Sequence, residues 1–213
     1  MKIKAIALSV IAVCASSAYA ENLYVVGSVG QSRFNGDGAN QSQYDSQFTS
    51  NGGAVQSSSI GNTDTGYKLL LGTQINPNFA VEGGYLNFGK TSYNATLSDG
   101  SGAASLKARG WVVDAVGIYP VTKDLSLFGK AGLYRSDATT NVSASSTSLG
   151  SAYGTSNSRS GNDLNYGIGL TYAINQTLSV RSEYEQFRNV ADNVSPGGKS
   201  NVNLLSVGLV AKF

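Results

Sequence analysis

Asn203-Leu204-Leu205-Ser206-Val207-Gly208-Leu209-Val210-Ala211-Lys212-Phe213 is the stretch that decides the fold. Leu205, Val207, Leu209, Ala211 and Phe213 fall on one face of a two-residue repeat. Leu204, Ser206, Gly208, Val210 and Lys212 fall on the other. One face is wholly apolar and the other mixes small and polar groups. A period of two means a strand, and the length is about what a tilted strand needs to cross a bilayer. A strand apolar outward and ending on an aromatic needs a sheet closed on itself. The expected fold is therefore all-β, an eight-stranded antiparallel up-and-down transmembrane barrel.

Working outward, the same pattern recurs in seven earlier segments. They are Leu23 to Arg33, Tyr67 to Ile75, Phe79 to Asn87, Arg109 to Tyr119, Leu125 to Arg135, Asp163 to Ile174 and Leu178 to Phe187. Short turns, Asn76-Pro77-Asn78, Pro120 to Asp124 and Asn175-Gln176-Thr177, join alternate pairs. The other connections, 34–62, 89–108, 136–162 and 189–202, are long and rich in Ser, Gly, Thr and Asn, and read as polar loops, the first a mobile one. Long and short connections alternate, so every long one lies at one end. That is the layout of an outer-membrane barrel, with short turns periplasmic and long loops outside. Leu86 and Phe88 share a side with Glu82, which predicts a bulge or the end of the membrane region there.

Aromatics band in the same way. Phe79, Tyr119, Tyr172 and Phe213 lie near the short turns; Tyr85, Trp111, Tyr166 and Tyr184 lie toward the long loops. Two girdles at two membrane interfaces account for this.

The chain opens with a secretory signal, residues 1–20: Lys2 and Lys4, an apolar run from Ala5 to Val13, and the cleavage site Ala18-Tyr19-Ala20. The barrel is expected over 21–213. A lipoprotein cut before the single Cys14 is disfavoured by Val13. Setting Lys2 and Lys4 aside leaves 13 basic residues against 13 acidic ones, and no basic patch argues for nucleic acid. The remainder has no cysteine and the chain has no histidine, so no disulfide, metal or cofactor is expected.

The interior should carry the charges Lys68, Glu82, Asp114, Lys130, Arg181, Glu183 and Glu185. Isolated charges in a narrow lumen are costly, so these should pair. The pairs form either a structural core that holds the barrel shut or a salt-bridge gate; eight strands leave little room for a channel, which favours the first. No catalytic residues are expected. The commonest general base is missing, the serines lie in low-complexity loops, and Glu183-Tyr184-Glu185 reads as lumen lining rather than a dyad.

Residues 74–85, the segment 119–132, the stretch from Gly169 to Tyr184 and the closing strand resemble the OmpA transmembrane-domain family. The resemblance implies that Glu82 and Glu183 occupy the two carboxylate positions of a switchable interior plug. It matches Lys130 to an interior arginine and Lys199 to a basic partner at the loop end. A family lysine on the fourth strand is replaced here by Val116, with Asp114 nearby. With the chain stopping at Phe213, a periplasmic peptidoglycan-binding domain is not expected. The terminal strand resembles the signal read by barrel-assembly machinery. The implied partners are outer-membrane lipid, lipopolysaccharide and that machinery. The implied role is envelope integrity with a narrow gated pore. The alternative is a surface adhesion or serum-resistance barrel of the OmpX/Ail type, binding host or surface ligands through its loops.

Overall fold

A computed structural model describes residues 22–36, 40–146, 153–190 and 200–213. Residues 1–20, where a signal segment is expected, and Lys199 lie outside the described residues. The strands are β1 (Leu23–Gly36), β2 (Val55–Gly61), β3 (Thr63–Asn76), β4 (Phe79–Leu97), β5 (Gly100–Pro120), β6 (Leu125–Ser146), β7 (Tyr153–Ala173), β8 (Leu178–Val190) and β9 (Ser200–Lys212), with one helix, α1 (Gln41–Ser50). Eight of the strands, all but β2, close a barrel. Each is antiparallel to its neighbours, and β9 seals against β1 from Tyr24↔Lys212 to Gly36↔Ser200. Closure leaves no open edge at membrane depth, the condition for a sheet to sit in lipid.

The two-residue period decides what faces lipid. Val29, Leu69, Leu71, Val113, Leu133, Ile168, Leu205, Val207 and Leu209 point outward, about half exposed or more. Water would not tolerate that continuous apolar surface, and a bilayer requires it. The aromatics expected to form girdles all lie on this outer face, and the Tyr85 and Trp111 rings meet edge to face at 5.5 Å. At the short-turn end, the Phe213 amide donates to the Leu23 carbonyl at 3.0 Å, tying the last residue to the first strand.

The polar connections differ from their sequence reading. Segment 89–108 is a continuation of β4 and β5, paired from Gly89↔Ala108 to Leu97↔Gly100. Much of 136–162 is likewise paired, out to Ala144↔Tyr153. The period of two persists there: Ser136, Ala138, Thr140, Val142 and Ala144 are buried, while their neighbours are more exposed. The alternation is between small and polar groups, so hydropathy does not show it, and the backbone ladder rather than an apolar face carries the strand. The 34–62 segment is not a plain loop either. It holds α1 and β2, and β2 prolongs the line of β3 beyond Asn62 to pair with the outer half of β4. The second barrel strand therefore begins at Thr63 rather than Tyr67.

The bulge expected near Phe88 is present. The β4–β5 register shifts between Asn87 and Gly89, and Gly89 takes φ +77°. Phe88 is the extra residue, and it points into the barrel as Leu86 does.

Candidate functional site

Seven charged side chains meet across the middle of the lumen, each 5% exposed or less. Their strands are spread round the barrel: Lys68 on β3, Glu82 on β4, Asp114 on β5, Lys130 on β6, and Arg181, Glu183 and Glu185 on β8. Alternation places all of them inward, including the three on β8, which stand two residues apart.

The network has two parts. Lys68 Nζ lies 2.9 Å from Glu183 Oε2 and also contacts Glu185 Oε2. Lys130 Nζ lies 2.8 Å from Glu183 Oε2, 2.5 Å from Glu185 Oε1 and 3.5 Å from Asp114 Oδ2. Two lysines thus share one pair of glutamates. Separately, Arg181 Nη1 donates to Glu82 Oε1 at 2.6 Å. The guanidinium is flanked by the Phe128 ring, 4.5 Å from its centroid, and the Tyr24 ring at 5.9 Å.

Two neutral side chains complete the arrangement. The Tyr24 hydroxyl donates to Glu82 Oε1 at 2.7 Å, and Asn165 Nδ2 donates to Asp114 Oδ1 at 2.6 Å. The sequence alone marks neither Tyr24 nor Asn165. Neither carries a charge to mark it. What brings them in is the register: a Cβ at Gly72 would collide with the Tyr24 ring, so glycine there lets the ring lie across the lumen. Glycines play the same part opposite other long side chains. Gly132 faces Asp114, and Gly167 lies between Lys130 and Glu185.

Glu82 and Asp114 stand directly opposite each other on β4 and β5. Facing carboxylates repel unless cations divide them. Arg181 takes the first and Lys130 the second. Glu82 Oε2 and Arg181 Nε have no hydrogen-bond partner among the described residues, so this pair keeps bonding capacity in reserve. The resemblance had left Val116 where a lysine would stand. Val116 is buried among apolar neighbours, and Lys68 brings in a cation from β3 instead.

Apolar layers bound the network on both sides. Toward the short turns stand Tyr24, Ala80, Val116, Phe128 and Val210. A cavity of about 120 Å³ opens there, with Arg181 and Phe128 among its walls. Toward the long hairpins, Phe88 and Phe187 meet edge to face at 4.7 Å, and Tyr134 meets Phe187 at 5.3 Å. Phe34, Leu86, Leu106 and Leu204 fill the space around them. Beyond this layer, α1 packs Tyr44 and Phe48 onto Tyr93, with ring centroids 5.0 and 5.8 Å apart. The lumen is therefore blocked at several levels.

Comparison with known proteins agrees with this architecture. A family model described as the OmpA-like transmembrane domain matches residues 18–213. Outer membrane protein A of Escherichia coli O157:H7 is 27% identical over 212 residues, covering 98% of this chain and 53% of that protein. Its counterpart in Klebsiella pneumoniae is 26% identical over 192 residues, covering 89% of this chain and 50% of that protein. The chain thus spans about half the length of the curated relatives it matches. Among solved structures, Neisserial surface protein A aligns with a TM-score of 0.52 at 14% identity, over 90% of this chain and 97% of that one. Ail of Yersinia pestis, in complex with the heparin analogue sucrose octasulfate, aligns with a TM-score of 0.50 at 18% identity, over 91% of this chain and 99% of that one. At such identities these two structures speak to the fold alone.

Proposed function

The chain belongs to the OmpA-like transmembrane domain family, an outer-membrane β-barrel, and from that premise we propose a structural role in the envelope with a lumen held shut by its charge network. The observation that carries this reading is the sharing of Glu183 and Glu185 by Lys68 and Lys130. Four groups on three strands are tied at one level, so the wall is braced across its diameter. Removing one partner would strand a buried charge, at a cost of about 3–5 kcal/mol. The network also supplies the means of a narrow gate. Arg181 holds Glu82 apart from the lysine cluster, and the next carboxylates lie two and four residues along its own strand. An exchange of partners would open a path past the short-turn cavity.

The test is single-channel conductance of the refolded protein in a planar bilayer, beside Glu82→Ala and Glu183→Ala. A gate predicts discrete openings whose frequency or duration changes in both variants. A brace without a gate predicts silent bilayers and lower unfolding midpoints in both variants. If conductance and stability both stay at the wild-type level, with heat-modifiable gel migration confirming folding, the network does neither.

A second reading has one observation in its favour. Strands β4 to β7 run 19, 21, 22 and 21 residues, well beyond the roughly ten a membrane needs. They raise an ordered platform on which surface ligands could dock. Deleting the hairpin tips while keeping the barrel tests it: binding to host cells or serum factors that survives the deletion removes this reading.

A further inference from the structure

The charge network leaves a cavity of about 120 Å³ unfilled in the short-turn half of the lumen. Its walls grade from wet to dry. Gln74, Ile118, Ser126 and Thr171 are half-buried near the turns, and Lys212 is exposed beside them. Tyr24, Phe128, Arg181 and Val210 form the buried floor. Arg181 stands three residues into β8, roughly 8 Å inward from Leu178 at ~3.4 Å per residue and a strand tilt of about 40°. Exposure falls from the turns to the guanidinium, so the cavity is entered from the short-turn side, which is periplasmic in this architecture.

The floor offers a donor that is not used up. Arg181 gives Nη1 to Glu82, while its Nε has no partner among the described residues, and the residue is 4% exposed. A guanidinium carries its N–H donors in a planar fork, so one edge can hold Glu82 while another takes a second carboxylate. The ladders set hydroxyls beside it. Ser126 faces Thr171 across β6 and β7, and Thr171 faces Arg181 across β7 and β8. Side chains directly opposite in this way start about 5 Å apart. Lys212 adds a cation at the mouth, and among the described residues no carboxylate oxygen lies within 4.0 Å of it. No wall residue of the cavity is acidic. The lumen network has four carboxylates and three cations, and Lys212 brings that balance level.

We propose that this cavity binds a small aliphatic monocarboxylate, its carboxylate on Arg181 and its chain between Ile118, Phe128 and Val210. At ~30 Å³ per water the space equals about four waters, which suits an acid between acetate and butyrate in size. The donors converge at the floor, and the apolar walls reward a hydrocarbon tail that an inorganic anion lacks. Lys212 draws the anion to the mouth. The site takes the Arg181–Glu82 pair as it stands, so it goes beyond the lumen reading and does not depend on any opening of the barrel.

The test titrates sodium butyrate, at constant ionic strength, into the isotope-labelled, refolded protein in zwitterionic micelles. Nuclear magnetic resonance follows the Arg181 Nε–H signal and the amides of Ser126 and Thr171. Butyrate should shift all three saturably in the millimolar range, and butyramide, its neutral analogue, should not. Lys212→Gln should weaken binding about fivefold, given the usual worth of one basic residue at a charged surface, and Lys123→Gln on the neighbouring turn should leave it unchanged. Arg181→Lys keeps a cation for Glu82 but removes the Nε–H, and should weaken binding roughly tenfold, read from the two amides. Ser126→Phe fills the mouth without touching the Arg181–Glu82 pair and should abolish the shifts, so the proposal stays testable if Arg181→Lys does not fold. Absence of a saturable shift in the wild type overturns the proposal, as do equal shifts with butyramide or undiminished binding in Ser126→Phe. Equal shifts with chloride overturn it too, by making any bare anion the ligand.

Discussion

Lys68 is the residue on which the lumen's order turns. It is the second cation on Glu183 and Glu185, and without it Lys130 alone would face two carboxylates and Asp114. Lys68→Met should lower stability by about 3 kcal/mol, measured as a urea midpoint in micelles. Adding Glu185→Gln to it should recover part of that loss, because the surplus negative charge goes as well. Equal losses in the single and double variants would mean that the lysine acts by packing alone. Gly167 gives a steric counterpart. A methyl there would come 2.8 Å from Glu185 Cγ and 2.9 Å from the Tyr184 carbonyl oxygen, and the second of these is backbone and cannot move aside. Gly167→Ala should therefore cost about 1–3 kcal/mol in the same assay, and wild-type stability would show that the sheet yields at this point. At this scale the sequence was informative wherever a charge marked the position. Seven charges on a two-residue period could be assigned inward, and the structure places them inward. Tyr24 and Asn165 were not legible, because an uncharged donor shows its role only once the opposite strand is known.

Among the elements, α1 was the least visible in advance. Its sequence, QSQYDSQFTS, has no apolar stripe beyond Tyr44 and Phe48, and such a short helix is marginal by itself. Asn40 caps it, its side chain accepting from the Ser42 amide at 3.1 Å, and tertiary contact with Tyr93 does the rest. The strands of the membrane band were legible because lipid demands apolar residues at every second position. In the outer half of β6 the buried positions are mostly small, Ser136, Ala138, Thr140 and Ala144, so the same period carried little hydropathy signal there, whereas in β4 and β5 the inward Tyr93, Leu97 and Leu106 did mark it. The contact beneath α1 has a pH dependence. Burial, and then the hydrogen bond donated to Asp45 at 2.5 Å, push the Tyr93 phenol above its ordinary value of 10.0. Burial raises Tyr44 as well. A group raised in the folded state stabilises that state fully below its unfolded value and loses this contribution as pH climbs above it. Hydrogen exchange across residues 41–50 should stay slow near about pH 8 and speed up beyond about pH 10, more than intrinsic exchange alone requires. Tyr93→Phe should soften the alkaline step and weaken α1 at neutral pH through loss of the Asp45 bond. An alkaline profile that matches intrinsic exchange would place α1 free of this anchor.

At the scale of the whole molecule, the barrel is a stack of layers perpendicular to its axis, and each layer matches a layer of its surroundings. The charged network sits level with the hydrocarbon core, shielded by the wall. The aromatic layer of Phe88, Phe187 and Tyr134 stands between that network and the ordered hairpins. Outside, Tyr85 and Trp111 mark the boundary where apolar side chains give way to Arg109 and Lys107. Trp111 is the one tryptophan in the chain and is 61% exposed to whatever surrounds the barrel, so it reports this boundary directly. Its indole N–H seeks the polar side of the interface while the ring stays on the apolar side. In bilayers with quenchers at graded depths along the acyl chain, Trp111 fluorescence should be quenched most by the shallow positions and least near the chain ends. Quenching strongest at the chain ends would place Trp111 at the bilayer centre. The apolar band would then be displaced along the barrel axis by half its height. The depth of this single ring therefore tests the membrane position of the whole barrel, since both girdles depend on where along the axis the lipid ends.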